Sequence, residues 1–178
     1  MAGLLDTSKA VPLVETPRLL LRGHRLDDLE VCCAMWGDPE VTRHIGGKPF
    51  QRDEVWMRLL RYVGHWALLG FGFWVIEEKA TGRFVGEVGL ADFMRDIVPA
   101  LDAPECGWAL AAWAQGQGYA TEAVGAALRW GGAHLKTPRT VCIIHPENAA
   151  SVRVAEKCGY RELRRATYKG QPTVVFER

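Results

Sequence analysis

Apolar positions along this chain recur in two different periods, and the switches between them mark out the elements. "RLLLR" (Arg18–Arg22) is a short apolar run between Pro17 and Gly23 and predicts a first strand. "LDDLEVCCAMW" follows, with two aspartates in its opening turn, where carboxylates suit the positive end of a helix dipole. From Gly37 to Phe50 the chain is rich in Gly and Pro and reads as a loop. After Asp53, the residues Val55, Leu59, Tyr62, Trp66 and Leu69 fall at helical spacing and predict one apolar face. "FGFWVIEE" and "RFVGEVGLADFM" are strand-like runs joined by "KATGR", whose Thr81-Gly82 supplies the turn of an antiparallel hairpin.

"ECGWALA" predicts another strand, running into a glycine loop. From Tyr119, the positions Ala120, Ala123, Val124, Ala127, Leu128 and Leu135 describe one helix face, with Gly131-Gly132 expected to fray its end. "TVCIIH" is an apolar strand, "NAASVRVAEKCGY" a helix ending at Gly159, and "RELRRATYKGQPTVVFER" a closing strand pair around Gly170. Residues 1–14 show no period and read as a loose arm. The order β-α-α-β-β-β-α-β-α-β-β predicts an α/β (α+β) fold with a mixed sheet and helices on its faces. With no repeat and no linker, residues 1–178 read as a single domain.

Charge and composition narrow the function classes. Lys plus Arg number 22 against 21 acidic residues, a net +1 that gives no general attraction to nucleic acid or an anionic membrane. No run approaches the roughly 18 apolar residues a membrane helix needs, and the N-terminus shows no signal-peptide pattern. A soluble, cytoplasmic protein is expected. Cys32, Cys33, Cys106, Cys142 and Cys158 are odd in number and lack metal-ligand spacing, so buried free thiols are expected and no metal.

Candidate chemistry centres on "QGQGYATEA" (Gln115–Ala123), a loop that turns at once into a helix. Backbone N–H groups in a first helical turn have no internal partner, and glycine lets a ligand approach them, so the loop suits phosphate oxygens. Taken alone it is equally well a strand–helix turn with glycines for geometry. It is not a Walker loop, because Gly118 is followed by Tyr119-Ala120 with no lysine, and it lacks the third glycine and downstream acid of a dinucleotide fingerprint. One βαβ step later, Asn148 sits where a helix N-cap belongs and Ser151 one turn on. The two strands preceding these helices should be parallel, which brings both helix starts to one sheet edge, where α/β ligands bind.

The pair of motifs resembles the GNAT acyltransferase superfamily. "QGQGYA" is similar to its Gln/Arg-x-x-Gly-x-Gly/Ala loop, and "NAASVRVAEKCGY" to the Asn-x-x-Ser…Glu-Lys-x-Gly-Phe/Tyr stretch of the branch containing ribosomal-protein N-terminal acetyltransferases. "VETPRLLLRGHRLDDLE" and "ECGWALAAWAQGQGYATEA" resemble the first strand and the loop segment of that branch, so the likeness runs from about Val14 to Tyr160. The resemblance implies a mostly antiparallel central sheet with helices on both faces and one splayed parallel strand pair. It implies acetyl-CoA as co-substrate and an N-acetyltransferase acting by direct attack of a primary amine, either a protein N-terminus or a small molecule. An inactive CoA-binding module for sensing or scaffolding is the alternative.

The same resemblance assigns roles. The CoA pyrophosphate would sit on the backbone of Gln115, Gly116, Gln117, Gly118, Tyr119, Ala120 and Thr121, with the pantetheine arm beside Trp108, Ala109 and Leu110. Asn148 would bond that arm. Glu105 is the first candidate for the base that takes the amine proton and Glu87 the second, though each also reads as an ordinary sheet carboxylate. No tyrosine lies after the second helix start before Tyr160, so Ser151 stands in as donor to the leaving thiolate. His145 reads as structural or solvent-facing, and Cys106 has no evident activating base or cation. Trp36 and Trp56 fall in segments expected to wall the acceptor site. As partners the reading names the amine acceptor, leaves a homodimer open, and includes neither nucleic acid nor membrane.

Overall fold

The computed structural model describes residues 11–178. Its strands are β1 (Val14–Glu15), β2 (Leu19–Arg22), β3 (Phe73–Glu78), β4 (Phe84–Ala91), β5 (Glu105–Leu110), β6 (Val141–Ile144), β7 (Arg161–Tyr168) and β8 (Gln171–Glu177). Its helices are α1 (Leu29–Trp36), α2 (Pro39–Thr42), α3 (Arg52–Leu69), α4 (Tyr119–His134) and α5 (Ala149–Lys157). The strands form one sheet in the order β1-β2-β3-β4-β5-β6-β8-β7. Every neighbouring pair is antiparallel except β5 with β6. The mixed sheet expected from the element order, and its mostly antiparallel pairing implied by the resemblance, are observed.

Alternation along the strands divides the core between two faces. Leu19, Leu21, Ile76, Val88 and Leu90 face Ala123, Val124 and Ala127 of α4, together with Ala155 of α5. On the opposite face, Ala109 meets Cys32, Met35 and Trp36 of α1 and Val55 of α3, and Phe73 and Ala91 meet Tyr62 of α3. Trp66, Trp74 and Trp130 pack edge-to-face, with ring centroids 4.8 to 5.3 Å apart. Burial of large apolar and aromatic surface is thus the main stabilising term on both sides of the sheet.

Four sequence expectations change. Val14 and Glu15, assigned to or beside the arm, pair with Leu21 and Leu20 as an edge strand, and Val11 is buried; a two-residue strand is too short to show a period. The rest of that arm, residues 1–10, lies outside the described residues. Within the expected loop, Asp38 caps α2 by accepting from the Glu40 N–H at 2.8 Å. Leu69 is 47% exposed rather than on the buried face of α3. Gly131 does not fray α4, which continues to His134; an added Cβ would lie 2.6 Å from Leu90 Cδ1, so glycine there allows the helix onto the sheet.

Candidate functional site

Strands β5 and β6 register at a single pair, Glu105 with Val141, where the Val141 N–H donates to the Pro104 carbonyl at 3.0 Å. Beyond that pair they part, each keeping its antiparallel neighbour on the far side. A cleft of about 720 Å³ opens at the parted ends. Trp108, Ala109 and Leu110 line one side, Asn148 and Ser151 line the other, and Gln115, Gly116, Gly118, Tyr119, Ala120 and Thr121 complete it. The backbone of β5 facing the gap has no strand partner from residue 106 onward, so an extended ligand arm can pair with it.

Gly118 is the N-cap of α4, at φ +80° and ψ 0°, a left-handed conformation that a side chain would strain. No side chain caps this helix start. The N–H groups of Tyr119, Ala120 and Thr121 therefore lack intrahelical partners and carry the positive end of the dipole into the cleft. Glu122, in the same turn, would repel an anion if left free. It accepts from Thr16 Oγ1 at 2.6 Å, from the Arg18 N–H at 3.0 Å and from Arg18 Nε at 2.7 Å. Burial alone would raise the Glu122 carboxyl, but the bonds from Thr16 and Arg18 hold it below the usual range. Arg18 also donates to the Gln117 carbonyl at 3.0 Å and lies 4.4 Å over the Tyr119 ring, fastening the loop to the start of β2. Gln117 itself does not line the cleft; its side-chain amide donates to the Trp113 carbonyl at 2.7 Å.

Asn148 caps α5, its side chain accepting from the Ser151 N–H at 3.1 Å. That bond fixes both residues where they line the cleft. Arg153 and Lys157 also line it; their spacing of four places them on one face of α5, a signal available in the sequence but not used. Glu40, Arg43 and His44, at α2 and just beyond it, are further wall residues that sequence reasoning missed. They come from a segment with no hydrophobic period, and only tertiary folding brings them against Glu147 and Asn148.

The candidate base Glu105 is not brought to the cleft wall. It is buried, and Arg95 grips both its oxygens, Nε at 2.5 Å and Nη2 at 2.7 Å. The carboxylate opens β5 as expected and is held there in an ion pair with Arg95, at the closed end of the β5–β6 junction. Glu87 is 1% exposed and accepts from Trp36 Nε1 at 2.9 Å, with His24 Nε2 at 2.9 Å and Cys32 Sγ at 3.4 Å. Burial pushes the Glu87 carboxyl up, but His24 and Trp36 bring it below the usual range. It holds α1 against the sheet from beneath. Trp36 is buried in that contact and neither it nor Trp56 lines the cleft; Trp108 is the wall tryptophan. Cys106 is buried, its thiol pushed up to about 12 by burial, and no cysteine lines the cleft. All five cysteines are free thiols; Cys32, Cys106 and Cys142 are buried as expected, whereas Cys33 and Cys158 are only partly so.

Comparison with known proteins agrees with this geometry. Residues 18–161 match the family described as "Acetyltransferase (GNAT) domain". The uncharacterized protein YkkB of Bacillus subtilis is 33% identical over 147 residues, covering 81% of each chain. An uncharacterized N-acetyltransferase, p20 of Bacillus licheniformis, is 28% identical over 83% of this chain and 81% of its own. The solved structure of a "Putative GnaT-family acetyltransferase from Bordetella pertussis" superposes with a TM-score of 0.82 at 28% identity, covering 94% of this chain and 99% of the other. RimL, a ribosomal-protein acetyltransferase solved with coenzyme A, shares the fold at 14% identity, with a TM-score of 0.76 over 94% of this chain and 97% of its own. The chain belongs to the GNAT acetyltransferase family.

Proposed function

We propose that this acetyltransferase takes its acetyl group from acetyl-CoA and passes it by direct attack to a primary amine, on a protein N-terminus or a small molecule. The observation that carries the reading is the uncapped start of α4, whose three free N–H groups face a cleft bordered by the unpaired edge of β5. Pyrophosphate oxygens accept from the amides at Gly118–Thr121, and the pantetheine arm runs along Trp108, Ala109 and Leu110 with Asn148 opposite. An amide of β5 beside the thioester donates to the carbonyl oxygen as it becomes an oxyanion. Arg153 and Lys157 add positive charge where the anionic cofactor lies.

The amine must lose a proton as it attacks, and the departing thiolate must gain one. Ser151, held by its own N–H to Asn148, is the donor to sulfur in this reading. The proton acceptor is drawn from the groups in the wall, Glu40, His44 and Glu147, rather than from Glu105 behind Arg95. A thiol-release assay with acetyl-CoA and a panel of primary amines tests the proposal. CoA release that requires both protein and a particular amine is the expected result; saturable acetyl-CoA binding with transfer to none of the amines favours the inactive binding module.

A further inference from the structure

The end of α2 and the turn after β6 bring a second chemistry to the same cleft. His44 follows α2, and His145 and Glu147 lie in a turn closed by the Asn148 N–H donating to the His145 carbonyl at 2.9 Å. The ligand atoms of His44, His145 and Glu147 all lie within 4.8 Å of one another, and the two imidazoles are stacked with centroids 5.5 Å apart. Among the described residues the cluster's one side-chain hydrogen bond is a long one, from the Glu147 N–H to His145 Nδ1 at 3.2 Å. Two half-buried imidazoles and an exposed carboxylate thus face one another, and beyond that one bond none of their side-chain atoms has a polar partner among the described residues.

We propose that His44, His145 and Glu147 form a binding site for a divalent transition metal of the zinc class. Two neutral imidazoles and one carboxylate are a donor set that zinc takes with its fourth position open, whereas magnesium and calcium prefer oxygen alone. Zinc–ligand bonds near 2.05 Å at the tetrahedral angle place donors about 3.3 Å apart. Closure from the observed spacing needs donor movements of at most about 1.5 Å. Rotation of the exposed Glu147 side chain and of the His44 ring supplies them. The carboxylate offsets one of the two metal charges, whereas neighbouring Arg43, also in the cleft wall, is a like charge that weakens the site.

The site has a consequence for the cleft. His44 and Glu147 are wall residues reached from two elements about a hundred positions apart in the chain. A metal between them ties the α2 end to the start of α5 and occupies groups that could take the amine proton, so zinc should inhibit transfer. That effect rests on the acetyltransfer reading; metal binding itself does not.

Cobalt substitution tests the binding directly. Co²⁺ titrated into the full chain should give visible bands of a four- or five-coordinate nitrogen–oxygen site at one equivalent, displaced by Zn²⁺. Sulfur-to-metal charge transfer would instead show capture by the free cysteines and overturn the assignment. His44→Ala and Glu147→Gln should each weaken Zn²⁺ binding by at least about tenfold, with unchanged circular dichroism showing that the fold survives. Zn²⁺ affinity equal in wild type and both variants also overturns it. Inhibition of CoA release by Zn²⁺ is read separately, so a chain that binds metal but transfers no acetyl group would count against the acetyltransfer reading alone.

Discussion

Glu105 illustrates how residue type and residue role separate. Its position at the head of a strand leading to the parted edge suits a base, and suits an ordinary sheet carboxylate equally well. Arg95, ten residues earlier in a stretch without a hydrophobic period, folds back onto both carboxylate oxygens. Removing one member of a buried ion pair strands the other charge, so Glu105→Ala should cost stability, about 3 kcal/mol at the low end of such changes. Urea denaturation checks that loss. The pH–rate profile of the variant should keep its shape, and loss of its acid limb would return Glu105 to the base role. Gly118, Asn148 and Ser151 behave in the opposite way. Their placement is legible because a positive φ at Gly118 and the cap that Asn148 makes with the Ser151 N–H are local properties, written in a few adjacent residues.

At the scale of elements, helices and strands with a strong period were readable, and those fixed by long-range contact were not. α3, α4 and α5 and the β3–β4 hairpin follow from spacing and turn residues. β1 and α2, of two and four residues, are too short to repeat a period, and tertiary contacts decide them. The junction of β2, α1 and β3 depends on charge instead. Arg22, 5% exposed, donates to both oxygens of Asp28 at 2.7 and 2.8 Å and to Glu77 at 2.8 Å, while the Arg25 N–H reaches Asp28 at 2.6 Å. Burial raises the Asp28 carboxyl, but Arg22 and the Arg25 N–H outweigh it and depress it below the ordinary value. A carboxyl depressed in the folded state stabilises fully above its unfolded pKa, about 3.9. That contribution is lost as pH falls through the lower folded value, because the unfolded chain then binds the extra proton. Glu87, also depressed, acts in the same direction. Chemical denaturation followed from pH 7 to 3 should therefore show stability declining below about pH 4. Asp28→Asn should be less stable at neutral pH and show a shallower decline; an identical slope would remove Asp28 from the account.

For the whole molecule, the fold and the family lie close to the sequence, and the wall opposite the glycine loop lies far from it. The glycine loop and the α5 cap are contiguous motifs joined by one βαβ step, so reading them in order locates one sheet edge. The wall opposite is assembled from Glu40, Arg43, His44 and Glu147, residues that no spacing connects. In the proposed function that wall faces the amine acceptor, and the chain's net charge of +1 gives it no global bias. The central claim is that the start of α4 seats the pyrophosphate of acetyl-CoA. Isothermal titration of acetyl-CoA into wild type and Gly118→Val tests it most directly. A valine at φ +80° costs about 1–3 kcal/mol of strain and pushes the loop from its present course. One saturable site per chain, weakened at least about tenfold in the variant while thermal melting still shows a folded protein, is the predicted result. No binding to wild type, or equal affinity in a folded variant, would contradict it.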